Sequence, residues 1–467
     1  MEPKDPAEFA PWPLPGLCLK VHRCGKWKLF MKQLTYNQCL EEMYALGRFG
    51  IKLELSTVQS IVERLGVSEP GFRVIHIAGT NGKGSTAAYC AGLLRKAGFK
   101  TGLYTSPHLV KFNERFSIDG EDVSDQDIVE AYLAVKEADT GERKATFFEI
   151  ATAMAFYLFH REEVQWVVLE TGMGGRLDAT NIVAPEVAVI TNLSLEHTDY
   201  LGTTLEEIAW EKGGIIKDET PVITGVDQTS ALDVLKNRAE GKSAPVYVYG
   251  RDFSKSAAPA EGSFGYTGIS SSWSNIRTNL PGRHQMDNAA IALAAVEIAA
   301  SRSGRQESWF GLSQRQIQES IWETRWPGRL EYIQDTPMVI LDGAHNLEAA
   351  KQLGAYMEAN LADKRTTLVV GILNDKPYEA MLASLVPHAH RIIITRAKID
   401  RSIDPIVLKK AVQTLSTGEI LIIQDVAAAV ERAVETTPES GAVCIAGSLY
   451  VAGEARDRLV NGFSSRN

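Results

Sequence analysis

A glycine-rich turn between an apolar strand and a helix constrains the fold of this chain most strongly. An apolar run at residues 74–78 leads into the sequence GTNGKGS at 79–85, and a helical pattern follows from 85 to about 97. In such a turn, backbone N–H groups converge on phosphate oxygens, and the start of the helix adds a favourable dipole. Lys83 can neutralise phosphate charge, and Ser85 can face a magnesium ion.

The spacing of this turn departs from the common GxxxxGK[ST] pattern. Only two residues separate Gly79 from Gly82, and Gly84 stands between Lys83 and Ser85. The local sequence therefore leaves two interpretations open, a nucleotide-binding loop and a plain glycine-rich turn.

Short apolar runs alternate with helical patterns along most of the chain. This alternation is typical of an α/β fold whose mainly parallel sheet is covered on both faces. A looser stretch at 254–274 is rich in Ser, Ala and Gly, which leaves edge hairpins and a mobile insertion as alternatives. The runs that predict strands lie at 74–78, 101–104, 167–169, 187–190 and 221–223, and again at 338–341, 367–371, 391–394 and 442–446.

The sequence Trp326-Pro327-Gly328 separates two series of alternating elements. We therefore predict one α/β domain over residues 35–325 and a smaller α/β domain over 326–467. Residues 1–34 are rich in proline and lack a sustained period, which predicts a poorly ordered extension.

The charge and cysteine content exclude several classes of protein. The 467 residues hold 49 Lys and Arg against 58 Asp and Glu, a net charge of −9, whereas a general nucleic-acid binder needs a basic face. Five scattered cysteines without a CxxC pair argue against a disulfide framework or a structural zinc site. No run approaches the roughly 20 apolar residues that span a bilayer. We expect a soluble, cytoplasmic protein without nucleic-acid or membrane partners.

Polar residues follow several of the predicted strands of the first domain. Glu170 ends the strand at 167–169, Ser106 follows the strand at 101–104, and His197 lies just past the strand at 187–190. Open α/β sheets bind ligands at the carboxyl ends of their strands, and oxygen ligands suit Mg²⁺. Each residue taken alone also fits a solvated or turn position, so a metal site is one of two interpretations.

A second polar group lies at the start of the smaller domain. Asp342 and His345 follow the strand at 338–341, and Arg329 follows the domain boundary. Asp342 can accept hydrogen bonds from a ribose, and His345 can contact phosphate. Arg329 can reach a phosphate across a cleft between the domains. The alternative for 342–346 is a turn in which Asn346 caps a helix.

The candidate residues belong to longer blocks of sequence that span both domains. The blocks are GTNGKGS at 79–85, TSPH at 105–108 with Phe112, Glu114 and Arg115, LETGMGGRLDATN at 169–181, EHTDYLG at 196–202, EKGGI at 211–215, WPGRLE at 326–331, DGAHN at 342–346 and GSLY at 447–450. In order and spacing they resemble the folylpolyglutamate synthase/dihydrofolate synthase family of the Mur ligase superfamily, over about residues 35 to 460.

The resemblance implies a P-loop-containing, Mur ligase-like ATP-binding domain over 35–325 and a Rossmann-like glutamate-ligase domain over 326–467. It implies an ATP-dependent ligase that adds L-glutamate to dihydropteroate, to reduced folates or to both. The acid would attack the γ-phosphate of ATP to give an acyl phosphate, and the amine of glutamate would then displace phosphate. By analogy with the family we expect a monomer.

The same resemblance implies roles for individual residues. Lys83, Lys212 and His345 would be catalytic, and Lys212 would be carbamylated. Ser106, Glu170 and His197 would bind Mg²⁺, within two metal sites in all. ATP would be bound by Gly79, Thr80, Asn81, Gly82, Lys83, Gly84, Ser85, Asn288, Arg329 and Asp342.

One segment departs from the family pattern. In GRFGIKLEL at 47–55, Glu54 stands where the family's Gly-Ile-x-Leu-Gly-Leu has its last glycine, which leaves open which of the two activities is present. Two alternatives to a folate ligase remain. A Mur-type ligase for a different acid usually carries an extra N-terminal domain, for which the region before Gly79 is short. A nucleotide switch needs neither the pair Asp342 and His345 nor the block at 105–115.

Overall fold

The computed structural model describes residues 34–46, 54–68, 71–141, 143–258, 262–303 and 308–462. The predicted extension at 1–34 lies outside these residues except for Leu34, as does the segment 47–55 except for Glu54 and Leu55. The α-helices of the described residues are α1 Tyr36–Leu46, α2 Ser56–Arg64, α3 Lys83–Lys96, α4 Asp125–Ala138, α5 Phe147–Arg161, α6 Thr198–Leu201, α7 Leu205–Lys212, α8 Thr229–Glu240, α9 Arg283–Arg302, α10 Gln314–Glu323, α11 Leu347–Leu361, α12 Tyr378–Leu385, α13 Pro405–Gln413, α14 Val426–Thr436 and α15 Leu449–Arg456.

The strands of the described residues form three sheets, and short 3₁₀ helices connect several elements. The strands are β1 Arg73–Ala78, β2 Thr101–Tyr104, β3 Phe116–Ile118, β4 Glu121–Asp122, β5 Trp166–Glu170, β6 Val187–Ile190, β7 Val222–Thr224, β8 Val246–Val248, β9 Ser254–Ala257, β10 Ser263–Thr267, β11 Ser272–Arg277, β12 Glu331–Asp335, β13 Met338–Leu341, β14 Thr366–Val370, β15 Arg391–Ile394, β16 Glu419–Ile422 and β17 Ala442–Ala446. The 3₁₀ helices are Phe112–Arg115, Ala179–Ile182, Gly213–Ile215, Ser308–Gly311 and Val386–His388.

The first sheet has the strand order β4-β3-β2-β5-β1-β6-β7-β8. Strands β2, β5, β1, β6, β7 and β8 are parallel, while β3 runs antiparallel beside β2. Successive residues of β1 point to opposite faces. Ile75 and Ile77 pack with α3 and α9 on one face, whereas Val74 packs with α4 and α5 on the other. The predicted parallel sheet, covered on both faces, is thereby confirmed.

The looser stretch at 254–274 forms a small antiparallel sheet of order β11-β10-β9. Phe264, Tyr266 and Ile276 carry it into the core beside α9. Of the two alternatives left by the sequence, the antiparallel hairpins are correct for the described residues of this segment.

The second large sheet has the order β12-β13-β17-β14-β15-β16 and follows the sequence Trp326-Pro327-Gly328. It is parallel except for the edge strand β12. The α/β fold class predicted from the sequence is confirmed for both halves of the chain. The edge strands β12 and β16 were not predicted. Strand β12 is mostly polar, whereas β16 does contain the apolar run 420–423, which was missed.

The topology brings the ends of several parallel strands together. Strand β1 leads into the glycine-rich turn, β5 ends at Glu170, and β13 leads into Asp342. Helix α3 begins at Lys83, two residues before the predicted start, because Gly82 takes a left-handed conformation (φ 80°) and the helix follows at once. Across the described ranges, no helix has both the length and the apolar content needed to cross a membrane.

Candidate active site

A cavity of about 160 Å³ lies where the carboxyl ends of the two large sheets face each other. Of the site residues predicted from the sequence, Gly79 and Lys212 do not line it. The predicted residues that do line it are Thr80, Asn81, Gly82, Lys83, Gly84, Ser85, Ser106, Glu170, His197, Asn288, Arg329, Asp342 and His345.

The glycine-rich turn is fixed from beneath by the end of β6. The backbone N–H of Asn81 donates to Oδ1 of Asn192 at 2.9 Å, and the hydroxyl of Thr191 donates to the carbonyl of Asn81 at 2.7 Å. Gly79 has φ 148°, and a Cβ there would lie 1.9 Å from Oγ1 of Thr191. Only glycine combines this backbone conformation with so close an approach.

Lys83 folds back over the turn. Its Nζ donates to the carbonyl oxygens of Gly79 and Thr80, at 3.1 Å in each case. Its charge also acts on the carboxylate of Glu170. The ammonium group of Lys83 therefore lies where a glycine-rich loop before a helix binds the phosphate oxygens of a nucleotide.

Glu170, Ser106 and His197 all line the cavity. Glu170 is buried, and its Oε2 accepts the backbone N–H of Ser106 at 3.1 Å. Burial raises the pKa of Glu170, an effect that the charge of Lys83 opposes. Desolvation lowers the pKa of His197 to about 4, so the imidazole is neutral at pH 7 and can act as a ligand.

These donors fit a magnesium ion that shares its coordination sphere with phosphate and water. No cluster of three or more His, Cys, Asp or Glu side chains able to hold a metal occurs among the described residues. One carboxylate, one hydroxyl and one imidazole leave positions open, and Mg²⁺ is commonly bound by one or two protein groups together with substrate phosphates.

Lys212 lies behind the glycine-rich turn. It ends α7, is 4% exposed, and donates from Nζ to the carbonyl of Gly79 at 2.8 Å. Burial, reinforced by the charge of Lys83, lowers the pKa of Lys212 to about 7. A large fraction of this amine is therefore neutral at physiological pH.

The second sheet supplies the opposite wall of the cavity. Asp342 accepts the backbone N–H groups of Leu330 and Ala344, both at 2.8 Å, and so fixes the segment that carries Arg329. Nδ1 of His345 lies 2.8 Å from the carbonyl of Gly343, and burial lowers the pKa of His345. Asn346 caps α11, as the turn alternative for 342–346 predicts.

Contacts between the two halves involve residues that the sequence did not reveal as site residues. Glu196 lies 3.2 Å from Nζ of Lys376 and 3.6 Å from Nε2 of His345. Although burial opposes its charge, electrostatic interactions with these two side chains lower the pKa of Glu196 to about 2. Nδ2 of Asn346 donates to Oδ1 of Asn81 at 2.8 Å, joining a helix cap to the glycine-rich turn. Lys376 lies six residues beyond the end of β14. It is too far from the strand to be predicted as a site residue from its position at the carboxyl end of a strand.

Comparison with known proteins agrees with this geometry. The Mur ligase middle domain matches residues 77–296, and the Mur ligase, glutamate ligase domain, matches residues 328–449. The dihydrofolate synthase/folylpolyglutamate synthase of Bacillus subtilis (strain 168) is 38% identical over 367 residues, which are 77% of this chain and 84% of that protein. This chain belongs to the dihydrofolate synthase/folylpolyglutamate synthase family. The resemblance found in the sequence is confirmed.

Solved structures of this family share the fold along almost their whole length. FolC of Escherichia coli, in complex with DHPP and ADP, has a TM-score of 0.82 at 30% identity, and the match covers 92% of this chain and 98% of that one. A bifunctional folylpolyglutamate synthase/dihydrofolate synthase with Mn, AMPPNP and L-glutamate bound has a TM-score of 0.80 at 28% identity, covering 91% and 98%.

The environment of Gly82 leads to a prediction for nucleotide binding. Gly82 has φ 80°, and a Cβ there would lie 2.4 Å from Oδ1 of Asn288. Gly82→Ala should weaken binding of a non-hydrolysable ATP analogue about tenfold or more, since strain and crowding cost roughly 1–3 kcal/mol. Isothermal calorimetry measures the affinity. Gly98→Ala is the matched control, because Gly98 has φ 85° with open space around it. Equal affinities of the two variants would contradict the prediction.

Proposed function

We propose that this protein is an ATP-dependent ligase that joins L-glutamate to dihydropteroate, to a reduced folate, or to both, forming ADP and phosphate. The observation that carries the proposal is a single cavity lined by the glycine-rich turn, Glu170, His197, Arg329 and His345. Membership of the folate ligase family, in which relatives bind ADP, DHPP or L-glutamate, supports the choice of substrates.

ATP binds at the glycine-rich turn in this proposal. Thr80 to Ser85 surround the triphosphate, with Gly79 at the base of the turn. Lys83 leaves the carbonyls of Gly79 and Thr80 and neutralises charge that develops on the phosphates. Asn288, Arg329 and Asp342 complete the nucleotide site from the remaining walls, with Asp342 acting chiefly through the backbone that holds Arg329.

In this proposal Ser106, Glu170 and His197 would hold Mg²⁺, as part of two metal sites in all. When bound, the metal neutralises phosphate charge and helps to align the γ-phosphate. The buried carboxylate of Glu170 and the neutral imidazole of His197 support this role, because both present lone pairs at neutral pH.

The reaction has two steps. A carboxylate oxygen of the acid forms a bond to the γ-phosphorus of ATP, and the bond to the β,γ-bridging oxygen breaks to release ADP. The amine nitrogen of glutamate then attacks the acyl carbon, and the phosphate group leaves as the amine loses a proton. The protein contributes position and charge neutralisation.

His345 assists the handling of phosphate in the proposal. With Nδ1 donating to Gly343, the neutral ring presents the lone pair of Nε2 toward the cavity. A proton taken up at Nε2 turns this atom into a donor to a phosphate oxygen. Glu196, 3.6 Å from Nε2, stabilises that protonated form.

Lys212 becomes carbamylated in the proposal. A neutral amine attacks CO₂, and loss of one proton leaves a carbamate anion in place of a cation. The lowered pKa of Lys212 and its burial next to Lys83 support this reaction, because the anion relieves the repulsion between two lysines. The carbamate then orients groups of the second metal site.

The proposal also includes the division of the chain into domains. The chain divides into an ATP-binding domain over 35–325 and a glutamate-ligase domain over 326–467, which the separate sheets support. We propose a cytoplasmic monomer. The free, buried thiols of Cys39, Cys90 and Cys444 are consistent with a reducing compartment.

The proposed function is tested by release of ADP. The purified protein, ATP, Mg²⁺ and L-glutamate are combined with dihydropteroate in one assay and with tetrahydrofolate in another. We expect at least one acid to stimulate ADP release in a manner that requires glutamate. Stimulation by neither would reject a folate ligase and favour a Mur-type ligase for a different acid.

Lys83→Ala should lower kcat by on the order of 10²-fold or more, because it removes a donor aimed at transition-state charge. Steady-state rates of ADP release at saturating ATP measure the effect. The control is Lys351→Ala on α11, whose side chain is 58% exposed and pairs with Glu348. Near-normal turnover of the Lys83 variant would exclude its role at the phosphates.

Removal of CO₂ should lower activity of the wild-type protein, and bicarbonate should restore it. Lys212→Ala should be poorly active at every bicarbonate concentration, because no carbamate can form. Rates in degassed buffer and a carbamate signal from ¹³C-labelled bicarbonate provide the measurements. Lys217→Ala is a control, since Lys217 is half-buried, also has a lowered pKa and likewise donates to a backbone carbonyl, that of Asn181. Full activity of Lys212→Ala, independent of CO₂, would refute the carbamate.

A further inference from the structure

Arg115 is a buried cation that the reaction described above does not use. It ends the 3₁₀ helix Phe112–Arg115 and is 6% exposed. Its Nε donates to Nδ1 of His108 at 2.9 Å. Within the described residues, no carboxylate lies within 4.0 Å of the guanidinium, and the terminal nitrogens find no hydrogen-bond acceptor.

A buried guanidinium without an anion loses hydration that it must recover elsewhere. Burial lowers the pKa of Arg115, yet an arginine in a protein stays charged. The ring centroids of Phe112 and Phe147 lie 5.6 and 5.2 Å from its central carbon, and such cation–π contacts recover part of the loss. Among the residues that the structure describes, the remaining N–H donors of Arg115 find no acceptor.

The loop that carries Arg115 is held rigidly next to the catalytic cavity. The carboxylate of Glu114 accepts the backbone N–H groups of Leu109, Val110 and Lys111. At the other end of the loop, the N–H of Ser106 donates to Glu170. The backbone N–H of Thr105, the residue before Ser106, donates to the carbonyl of Arg115 at 3.1 Å. Arg115 is therefore fixed close to the carboxylate that we assign to the metal.

Aromatic side chains cover the guanidinium and extend toward solvent. Tyr44 stacks on Phe147 with 5.6 Å between ring centroids and is 47% exposed. Tyr450, from α15 in the second half of the chain, is 42% exposed. Both phenols lie close enough to Arg115 to influence its charge. An open aromatic cluster above an unpaired cation fits a ligand with an aromatic ring and a carboxylate.

We propose that Arg115 binds the reacting carboxylate of the acid substrate and positions it beside Glu170. This assignment rests on the proposed function, which supplies an aromatic acid whose carboxylate must meet ATP. A guanidinium presents paired N–H donors that match the two oxygens of a carboxylate. The aromatic cluster of Tyr44, Phe112, Phe147 and Tyr450 then receives the ring of the same substrate.

The test compares an acid with its ester. The probes are whichever of dihydropteroate and tetrahydrofolate stimulates ADP release, and the methyl ester of its reacting carboxylate, each bound in the presence of ADP. Wild-type protein should bind the acid on the order of 10²-fold more tightly than the ester. Arg115→Met should bind acid and ester within about threefold of each other, because the variant lacks the donors that distinguish them. Arg115→Lys should retain an intermediate preference for the acid, since the lysine ammonium keeps the positive charge but cannot donate to both carboxylate oxygens as a guanidinium does.

A surface variant and a nucleotide affinity serve as controls. Arg315→Met removes an arginine that is 88% exposed and pairs with Glu319, and it should keep the wild-type preference. Unchanged ADP affinity of Arg115→Met shows that the variant is folded. If Arg115→Met does not fold, the ratio of acid to ester affinity in Arg115→Lys tests the assignment instead. A wild-type preference for the acid in either folded Arg115 variant would overturn the assignment, whereas wild-type protein that binds neither acid would overturn the proposed function itself.

Discussion

The parallel pairing of β1 with β5 and β6 determines where the reactive groups of the first sheet lie. Ile77 is in register with Glu170 on one side and with Val189 on the other. Because parallel strands end at a common edge, this register brings the glycine-rich turn, Glu170 and the segment before His197 to one place. A slip of one residue would turn the apolar side chains of β1 to the wrong face and move Glu170 away from the turn. The fold and the site therefore depend on the same hydrogen-bonded ladder.

Desolvation then sets the protonation states of the groups at that edge. Burial raises the pKa of Glu170, while desolvation lowers the pKa values of His197 and Lys212, so the imidazole of His197 and a large fraction of the Lys212 amine are neutral at pH 7. The net charge of −9 for the whole chain does not reveal these protonation states. ATP, folates and glutamate are anions, and their attraction depends on local cations such as Lys83 and Arg329, which face the cavity against the field of the whole chain.

Those groups that follow strands directly could be predicted from the sequence. Glu170 and Asp342 come at the ends of apolar runs, and a rule about sheet edges selects them without coordinates. Lys376 and Arg115 could not be found in this way, because their importance depends on tertiary contacts. Lys376 meets Glu196 from the other half of the chain, and Arg115 matters because its burial leaves N–H donors unused. A local sequence pattern shows neither that a buried side chain lacks a hydrogen-bond acceptor nor that two side chains meet across the domains. The edge strand β12 was missed because it is half-exposed and mostly polar, so it lacks the apolar run that marks a buried strand.

Glu196 joins the two halves of the chain through contacts with two side chains of the second half, Lys376 and His345. Its carboxylate lies 3.2 Å from Nζ of Lys376, whose charge it neutralises, and 3.6 Å from Nε2 of His345, where it would stabilise a proton. Each pair is only slightly exposed, and an unpaired charge there would be costly. The hydrogen bond from Asn346 to Asn81 is a second contact between the halves, so the glycine-rich turn and the carboxylate of Glu196 are both fixed by residues of the second half.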